Sequence, residues 1–342
     1  MTHIDEFDFF LPPELIAQSP CNPRDHSRLL VVERKSRELD HRRFFDLPQL
    51  LAPPDILVLN DTRVIPARFF SRKVETGGTV EMLFVGREND LWKVLLKPSR
   101  KVRKGQCLGI ADHENTRWEV VDRRDEFWLI RPLFPPDEEA SVFELLGNTP
   151  IPPYIHNDAV LMKDYQTVYA RHDGSVAAPT AGLHFTDELL CRLRAQGVET
   201  AAVTLHVGPG TFFPVKTERL ENHRMHSEKY SLSKVAAEKI TRSRKKGGRV
   251  VAVGTTVVRV LESIWQRNDS LVPCEGETDL FITPGFQFQA IDALITNFHL
   301  PRSTLFILVC AFGGKRFMKN AYMEAVKNAY RFYSFGDAML IT

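Results

Sequence analysis

An α/β layered main domain carrying an inserted antiparallel β-barrel is the fold class this sequence predicts, and three observations predict it. Four short apolar runs lack polar alternation (Ile56 to Leu59, Ala201 to Val207, Val250 to Val253 and Ala293 to Ile295), as buried and largely parallel strands do. Helical patterns lie between these runs, which is the order of a layered α/β domain. Residues 66–150 break that order with short alternating stretches, close turns and no helical period.

Taken in chain order, the run Ile56 to Leu59 is the first buried strand, and Pro66 marks entry into the insertion. Inside it, Thr79 to Val85, Leu91 to Leu96, Arg117 to Val121 and Phe127 to Ile130 read as strands, separated by Gly, Asn, Asp and charged turns. Pro150, Pro152 and Pro153 mark the exit. The main domain is therefore expected to be discontinuous, from 1–65 and 151–342, with the barrel at 66–150. After the exit, Thr186 caps a helix over Leu189 to Gln196, with Asp187 and Glu188 in its first turn and Gly197 closing it. A strand at Ala201 to Val207 precedes a helix over Lys234 to Lys245 behind the Ser233 cap. Helices are also expected over Val257 to Gln266, Thr304 to Ala311 and Met318 to Arg331.

The 342 residues allow two domains of ordinary size, and 43% hydrophobic content supplies real cores. Lysine plus arginine, 45, nearly balances aspartate plus glutamate, 43, so the net charge of +2 argues against a histone-like protein but permits local basic faces. Five widely spaced cysteines with no Cys-x-x-Cys pair argue against a disulfide framework or zinc ribbon and suit a reducing cytosol. The acidic N-terminus lacks a signal-peptide apolar region, and the longest apolar run, Leu305 to Phe312, is too short to span a bilayer. A cytoplasmic, soluble protein is expected.

The stretch Arg171 to Phe185, rich in small and polar residues, suggests backbone kept bare for a ligand and runs into the Thr186 helix start. In open α/β sheets the ligand site lies beyond the carboxyl ends of the strands. There the sequence places Asn60-Asp61-Thr62-Arg63, His206-Val207-Gly208-Pro209-Gly210-Thr211, Gly254-Thr255-Thr256 and Thr296-Asn297-Phe298-His299. Any one of these alone reads as a capped turn; four together point to a site. Neither a P-loop nor a Gly-x-Gly-x-x-Gly fingerprint is present. His223 and His226 have no His-x-x-Glu-His context, and Glu228 is a weak third ligand, so no metal is expected.

Two basic runs stand out. Lys93, Lys97, Arg100, Lys101, Arg103 and Lys104 occupy one span of the insertion, and Arg242, Arg244, Lys245, Lys246 and Arg249 form the second. Both suit phosphate contacts, or else are solvated faces. Trp92 offers a stacking surface for an unpaired base, or packs in the core of its strand.

Several long blocks closely resemble the S-adenosylmethionine:tRNA ribosyltransferase-isomerase family of queuosine biosynthesis. They are Tyr165 to Arg171, Gly174 to Phe185, the His206-Val207-Gly208 turn with Gly210-Thr211-Phe212, and Asp292 to Pro301. Asn60 to Arg68, Met225-His226-x-Glu228, Gly254-Thr255-Thr256 and Ser334 to Ile341 extend the likeness end to end, weakest between about Gly86 and Asn148. Val257, Val260 and the Tyr333/Phe335 pair depart from the family pattern. The resemblance implies an enzyme that moves the ribosyl part of S-adenosylmethionine onto the aminomethyl group of a 7-deazaguanine at the tRNA wobble position. Isomerisation then gives epoxyqueuosine-tRNA, with adenine and methionine leaving. It implies S-adenosylmethionine as substrate rather than retained cofactor, no metal, tRNA as partner, no membrane, and a monomer.

Such chemistry needs a neutral amine, a base for a ribose C–H made acidic by the sulfonium, and an acid for departing adenine. The candidates are His206, His184 and His226, with Asp61, Glu228 and Asp292 as carboxylate partners. For substrate binding they are Arg171 and Arg259 as carboxylate clamps, Tyr169 and Phe298 for the sulfonium, and Thr180, Gly182, Gly208, Gly254, Thr255, Thr256, Asn297 and His299 around the pocket. For RNA binding they are the insertion's basic run with Arg244, Lys245 and Lys246. Two rivals remain at this point: another S-adenosylmethionine-dependent RNA modifier such as a methyltransferase, and a non-catalytic RNA-binding protein.

Overall fold

The apolar runs Ile56 to Leu59, Val250 to Val253 and Ala293 to Ile295 make sense once both faces of each strand are covered. Ala201 to Val207 differs, with Ala201, Val203, Leu205 and Val207 buried in one core and Ala202, Thr204 and His206 partly exposed. In the computed structural model, which describes residues 2–157, 160–208, 210, 215 and 217–342, alternate residues of one strand enter two separate cores. Ile56 and Val58, Val250 and Ala252, Leu294, and Met339 and Ile341 join one; Leu57 and Leu59, Val251 and Val253, Ala293 and Ile295, and Ala338 and Leu340 join the other. A strand buried on both faces has no position for a polar residue, so its period-two signal vanishes.

Strands β1 (Arg28–Glu33), β2 (Glu38–Arg43) and β3 (Ile56–Asn60) open the chain, with the one-turn helix α1 (Leu47–Leu50) before β3. β4 (Thr62–Val64) leads into β5 (Arg68–Lys73), β6 (Thr79–Glu88), β7 (Leu91–Lys97), β8 (Cys107–Ile110), β9 (His113–Arg124), β10 (Phe127–Pro132) and helix α2 (Glu139–Leu146). Then follow β11 (His172–Ser175), α3 (Asp187–Ala195), β12 (Glu199–Leu205), β13 (Glu228–Leu232), α4 (Lys234–Lys245), β14 (Val250–Val253) and α5 (Thr255–Asn268). The chain closes with β15 (Cys274–Thr278), β16 (Ala293–Asn297), α6 (Thr304–Gly313), α7 (Lys315–Lys327) and β17 (Ala338–Ile341).

Two compact units result, Met1–Arg63 with Pro152–Thr342, and Val64–Ile151. In the first, a nine-stranded sheet runs β15-β13-β12-β3-β14-β16-β17-β1-β2. Its centre, β12, β3, β14 and β16, is parallel, so four carboxyl ends meet along one edge. The flanking pairs β12–β13, β13–β15, β16–β17 and β1–β2 are antiparallel. In the second unit, β5 to β10 close an antiparallel barrel in the order β10-β7-β6-β5-β8-β9. The expected fold class, layered α/β with an antiparallel barrel, is the one observed.

Capping agrees with the sequence: Thr186 accepts from the Leu189 amide and Ser233 from the Ala236 amide. Helix α7 stops at Lys327, before the expected Arg331, because Ala329 turns into the left-handed region at φ 52°. Strands β1, β2, β4, β5, β8, β11, β13, β15 and β17 were not anticipated. Trp92 is fully buried among Phe69, Phe84, Trp118, Phe134 and Phe143, so it forms the barrel core rather than a stacking surface. The Arg171 to Phe185 stretch also divides. Arg171 to Gly174 are exposed, but Ser175 to Pro179 and Ala181 to Phe185 are buried, with Ala177 in one core and Ala181 and Phe185 in the other, so the run serves packing as well as keeping backbone bare.

Candidate active site

A cleft partly open to solvent sits at the carboxyl ends of the parallel strands. Its lining comes from four places: Ala177 to Ala181 of the Arg171 to Phe185 stretch, Val207 after β12, Gly254 to Thr256 at the β14–α5 junction, and Thr296 and Asn297 at the end of β16 with His299 beyond it. Tyr154, Tyr165, Leu305, Tyr333 and Ser334 complete it. No Asp, Glu, Lys or Arg is among these residues. Polarity here comes from amides, hydroxyls, tyrosine rings and the His299 imidazole.

Each polar wall has a local cause. Gly254 adopts φ +93°, which an L side chain rarely takes, and its amide donates to the Ile295 carbonyl at 2.8 Å. The turn this allows starts α5 in the cleft, with no side-chain cap on its first amides. Asn60, fully buried, ties the strand ends together: Nδ2 donates to the Leu205 carbonyl at 3.0 Å and to Thr256 Oγ1 at 3.3 Å, and Oδ1 accepts from the Leu205 and Thr62 amides.

Asn297 is set from behind. Its Nδ2 donates to the Tyr333 carbonyl at 3.1 Å and meets His184 Nε2 at 3.1 Å. The carbonyl can only accept, which assigns the nitrogen to that side of the amide. His184 Nε2 then accepts, and its Nδ1–H donates to Ser27 Oγ at 2.8 Å. Burial pushes the His184 pKa down to about 4, so the ring is neutral at pH 7. Phe44 stacks on it at 5.0 Å. Tyr333 reaches this position with φ 74°, an uncommon conformation for a residue with a side chain. His299, bonded to Thr296 Oγ1 at 2.8 Å, is likewise pressed down by burial, to about 3.

Beside the cleft, at the ends of β3 and β12, lies a more exposed polar group. His206 Nδ1 is 2.9 Å from Thr62 Oγ1, whose proton is assigned to the His172 carbonyl at 3.4 Å, leaving the lone pair on Nε2. Asp61 accepts from Thr204 Oγ1 at 2.7 Å and lies 3.7 Å from His172 Nε2. Burial and His172 press the His206 pKa below the ordinary imidazole value, and Asp61 opposes them. Gly174 is required here, since a Cβ would fall 2.9 Å from His206 Nδ1.

Of the residues expected at the site, Thr180, Gly254, Thr255, Thr256, Asn297 and His299 line the cleft. His206 and Asp61 form the adjacent group, and His184 stands behind Asn297. Arg259 is not free to clamp a ligand: buried, it pairs with Glu228 and donates to the Thr278 and Leu280 carbonyls. Glu228 also accepts from the Gly208 amide, so these three form one structural knot. Glu262, three residues beyond Arg259 on α5, accepts from the Gln289 and Ala290 amides. Phe298 packs against Tyr322, Tyr330 and Phe332 in the core, away from the cleft. Tyr169 is half-buried over Gly182, where a Cβ would fall 2.0 Å from the phenol oxygen. Arg171 and His226 are exposed. Asp292 sits at the opposite end of the sheet, bonded to Val250 at the start of β14. The Arg244 run lies at that same far end, where Arg242 pairs with Glu199, Arg249 with Asp55, and Arg244 covers Trp265 at 4.5 Å. Pro209, Thr211 and Phe212 lie outside the described residues.

In the barrel unit, Lys97, Arg100, Lys101, Arg103 and Lys104 are exposed, and Lys93 lies over Phe127 at 4.1 Å. The barrel's ion pairs use Arg68, Arg87, Arg124 and Arg131, none of them from this run. Sequence reasoning missed Tyr154, Tyr165, Tyr333, Ser334 and Ser27. Tyr165 and Ser334 lie in the blocks Tyr165 to Arg171 and Ser334 to Ile341, but no spacing rule brings those segments together, and Ser27, Tyr154 and Tyr333 lie outside both blocks. Among the described residues, no group of three or more His, Cys, Asp or Glu side chains is arranged to hold a metal ion, and no helix is long and apolar enough to cross a membrane.

Fold and cleft together define an α/β protein with a β-barrel insertion and a cleft without carboxylate, lysine or arginine side chains at its parallel strand tips. The chain belongs to the family described as queuosine biosynthesis protein, whose model matches residues 4–341. It is 52% identical over 339 residues to the S-adenosylmethionine:tRNA ribosyltransferase-isomerase of Thermotoga maritima, covering 99% of each chain. The enzyme of that name from Symbiobacterium thermophilum is 51% identical over the same length, again covering 99% of each chain. A crystal structure of S-adenosylmethionine tRNA ribosyltransferase from Thermotoga maritima matches with a TM-score of 0.58 and 42% identity, covering 98% of this chain and 100% of that one.

Proposed function

We propose that this protein is an S-adenosylmethionine:tRNA ribosyltransferase-isomerase. It moves the ribosyl group of S-adenosylmethionine onto the 7-aminomethyl-7-deazaguanine wobble nucleoside of tRNA and isomerises it to epoxyqueuosine, releasing adenine and methionine. The cleft carries this reading. It is concave, built from the ends of β12, β14 and β16 with the Ala177 to Ala181 segment, and lined by neutral dipoles and three tyrosines, which suits a donor bearing a sulfonium, an ammonium and a carboxylate. Full-length similarity to enzymes of that name supports the same reading.

The donor lies in the cleft, and the His206–Thr62–Asp61–His172 group provides acid–base function at its border. A depressed pKa keeps His206 neutral at pH 7, the form that accepts a proton from the aminomethyl group or from the ribose carbon beside the sulfonium. The exposed basic run of the barrel contacts tRNA phosphates, fixing position without reading sequence. The protein works in the cytoplasm as a monomer, and S-adenosylmethionine is consumed rather than retained.

The test is incubation with S-adenosylmethionine and tRNA bearing the aminomethyl-deazaguanine, followed by mass spectrometry of nucleosides and small molecules. Epoxyqueuosine with matching adenine and methionine is the expected result. S-adenosylhomocysteine would instead indicate methyl transfer, and tRNA binding without turnover would reduce the protein to an RNA-binding module.

A further inference from the structure

We infer that two adjacent strand tips read the amino-acid end of the donor: the α5 amino terminus binds its carboxylate, and Asn297 Oδ1 binds its ammonium. The inference rests on S-adenosylmethionine being the substrate. Its first support is Asn297 itself. The residue is 1% exposed and lines the cleft, its nitrogen is committed to Tyr333 and His184, and its buried Oδ1 accepts no hydrogen bond from any described residue. A buried acceptor without a donor is costly, so a native site that keeps one holds it for a ligand N–H or O–H.

The second support is the 14-residue helix α5, which begins in the same cleft. Its cap, Gly254, has no side chain to satisfy the first amides, and Thr255 and Thr256 line the wall. Such a terminus favours an anion. The two features are neighbours because β14 and β16 pair in parallel with Val253 opposite Ile295, placing Gly254 and Asn297 at adjacent tips. Adjacent strands lie about 4.8 Å apart. An ammonium and a carboxylate on one carbon span that gap.

Other donors on the substrate are the adenine amino group and the ribose hydroxyls. The ammonium is preferred because the acceptor flanks the anion site and no carboxylate in the lining competes for it, while the rings of Tyr154, Tyr165 and Tyr333 complement a cation. His184 acts here as a positioning residue: it holds the Asn297 amide in the orientation that presents oxygen.

Calorimetric titration of S-adenosylmethionine, its desamino analogue and its decarboxylated analogue into the wild-type protein and Asn297→Ala tests this. The wild type is expected to bind the desamino analogue about 10- to 100-fold more weakly than S-adenosylmethionine. Asn297→Ala should erase that ratio and leave the decarboxylated-analogue ratio unchanged. A wild-type protein indifferent to loss of the amine overturns the inference whether or not the variant folds. Equal weakening of all ligands by Asn297→Ala also overturns it, by placing a different donor at Oδ1. A wild type that binds no S-adenosylmethionine would defeat the substrate reading itself, a separate outcome.

Discussion

Replacing Arg259 by Met separates a structural arginine from a ligand clamp. Arg259 and Glu228 are 4% and 6% exposed, and the guanidinium also donates to the Leu280 and Thr278 carbonyls at 3.0 and 3.1 Å. Removing it strands a buried carboxylate, which among the described residues keeps the Gly208 amide at 2.8 Å, and takes a donor from two carbonyls. Breaking a buried pair from one side costs about 3–5 kcal/mol. With a urea dependence of about 3 kcal/mol per molar, the unfolding midpoint of the main unit falls by roughly 1 M or more. Glu228→Gln alone should also destabilise, since it strands the guanidinium. Combining Glu228→Gln with Arg259→Met removes both charges, and the double variant should recover about 2 kcal/mol relative to the sum of the singles. Urea titrations of the four proteins followed by tryptophan fluorescence and far-UV circular dichroism measure this, with KM for S-adenosylmethionine determined in parallel. Additive single effects below about 1 kcal/mol, or a large rise in KM at unchanged stability, would refute the structural assignment.

Three other outcomes follow from the same geometry. His184 and His299 have folded pKa values of about 4 and about 3, below the ordinary 6.5. Their contribution to stability is therefore complete above about pH 6.5 and is lost as pH falls toward those values. For His184 the loss is on the order of 3 kcal/mol; urea titrations between pH 7 and 4 should show it, His184→Gln should flatten the slope, and a wild-type slope equal to the variant's would contradict it. Gly182→Ala, whose Cβ would lie 2.0 Å from the Tyr169 phenol oxygen, should lose about 1–3 kcal/mol, with partial rescue by Tyr169→Phe in thermal melts. His206→Ala should lower kcat at least about 100-fold with the melting temperature nearly unchanged, and near-parental turnover would remove His206 from the acid–base group.

The central sheet was legible because β3, β14 and β16 are apolar on both faces, a pattern no exposed segment sustains. Strand β2, Glu38–Arg43, was illegible for the opposite reason: it is an edge strand, mostly exposed, and its charged residues carry no apolar signal. Strand β13 was hidden because its inward residues, Glu228, Tyr230 and Leu232, begin with a carboxylate whose burial depends on Arg259. At the site, Gly254 to Thr256, Asn297 and His299 could be found because strand ends announce themselves. Tyr154 and Tyr333 could not, since pairing distant segments requires the fold. Phe298 and Arg259 read as ligand contacts until packing showed that one fills a core and the other neutralises a buried carboxylate. Asp292 sat beside the right motif but at the wrong end of its strand, a distinction that depends on chain direction through the sheet.

The most direct test of ribosyl transfer is isotope tracing with two forms of S-adenosylmethionine, one carrying carbon-13 in the ribose and one in the methyl group, each incubated with the protein and the aminomethyl-deazaguanine tRNA. The ribose label is expected to enter the tRNA nucleoside, while the methyl label leaves entirely in free methionine. Methyl label in the tRNA, or ribose label retained in S-adenosylhomocysteine, would contradict it.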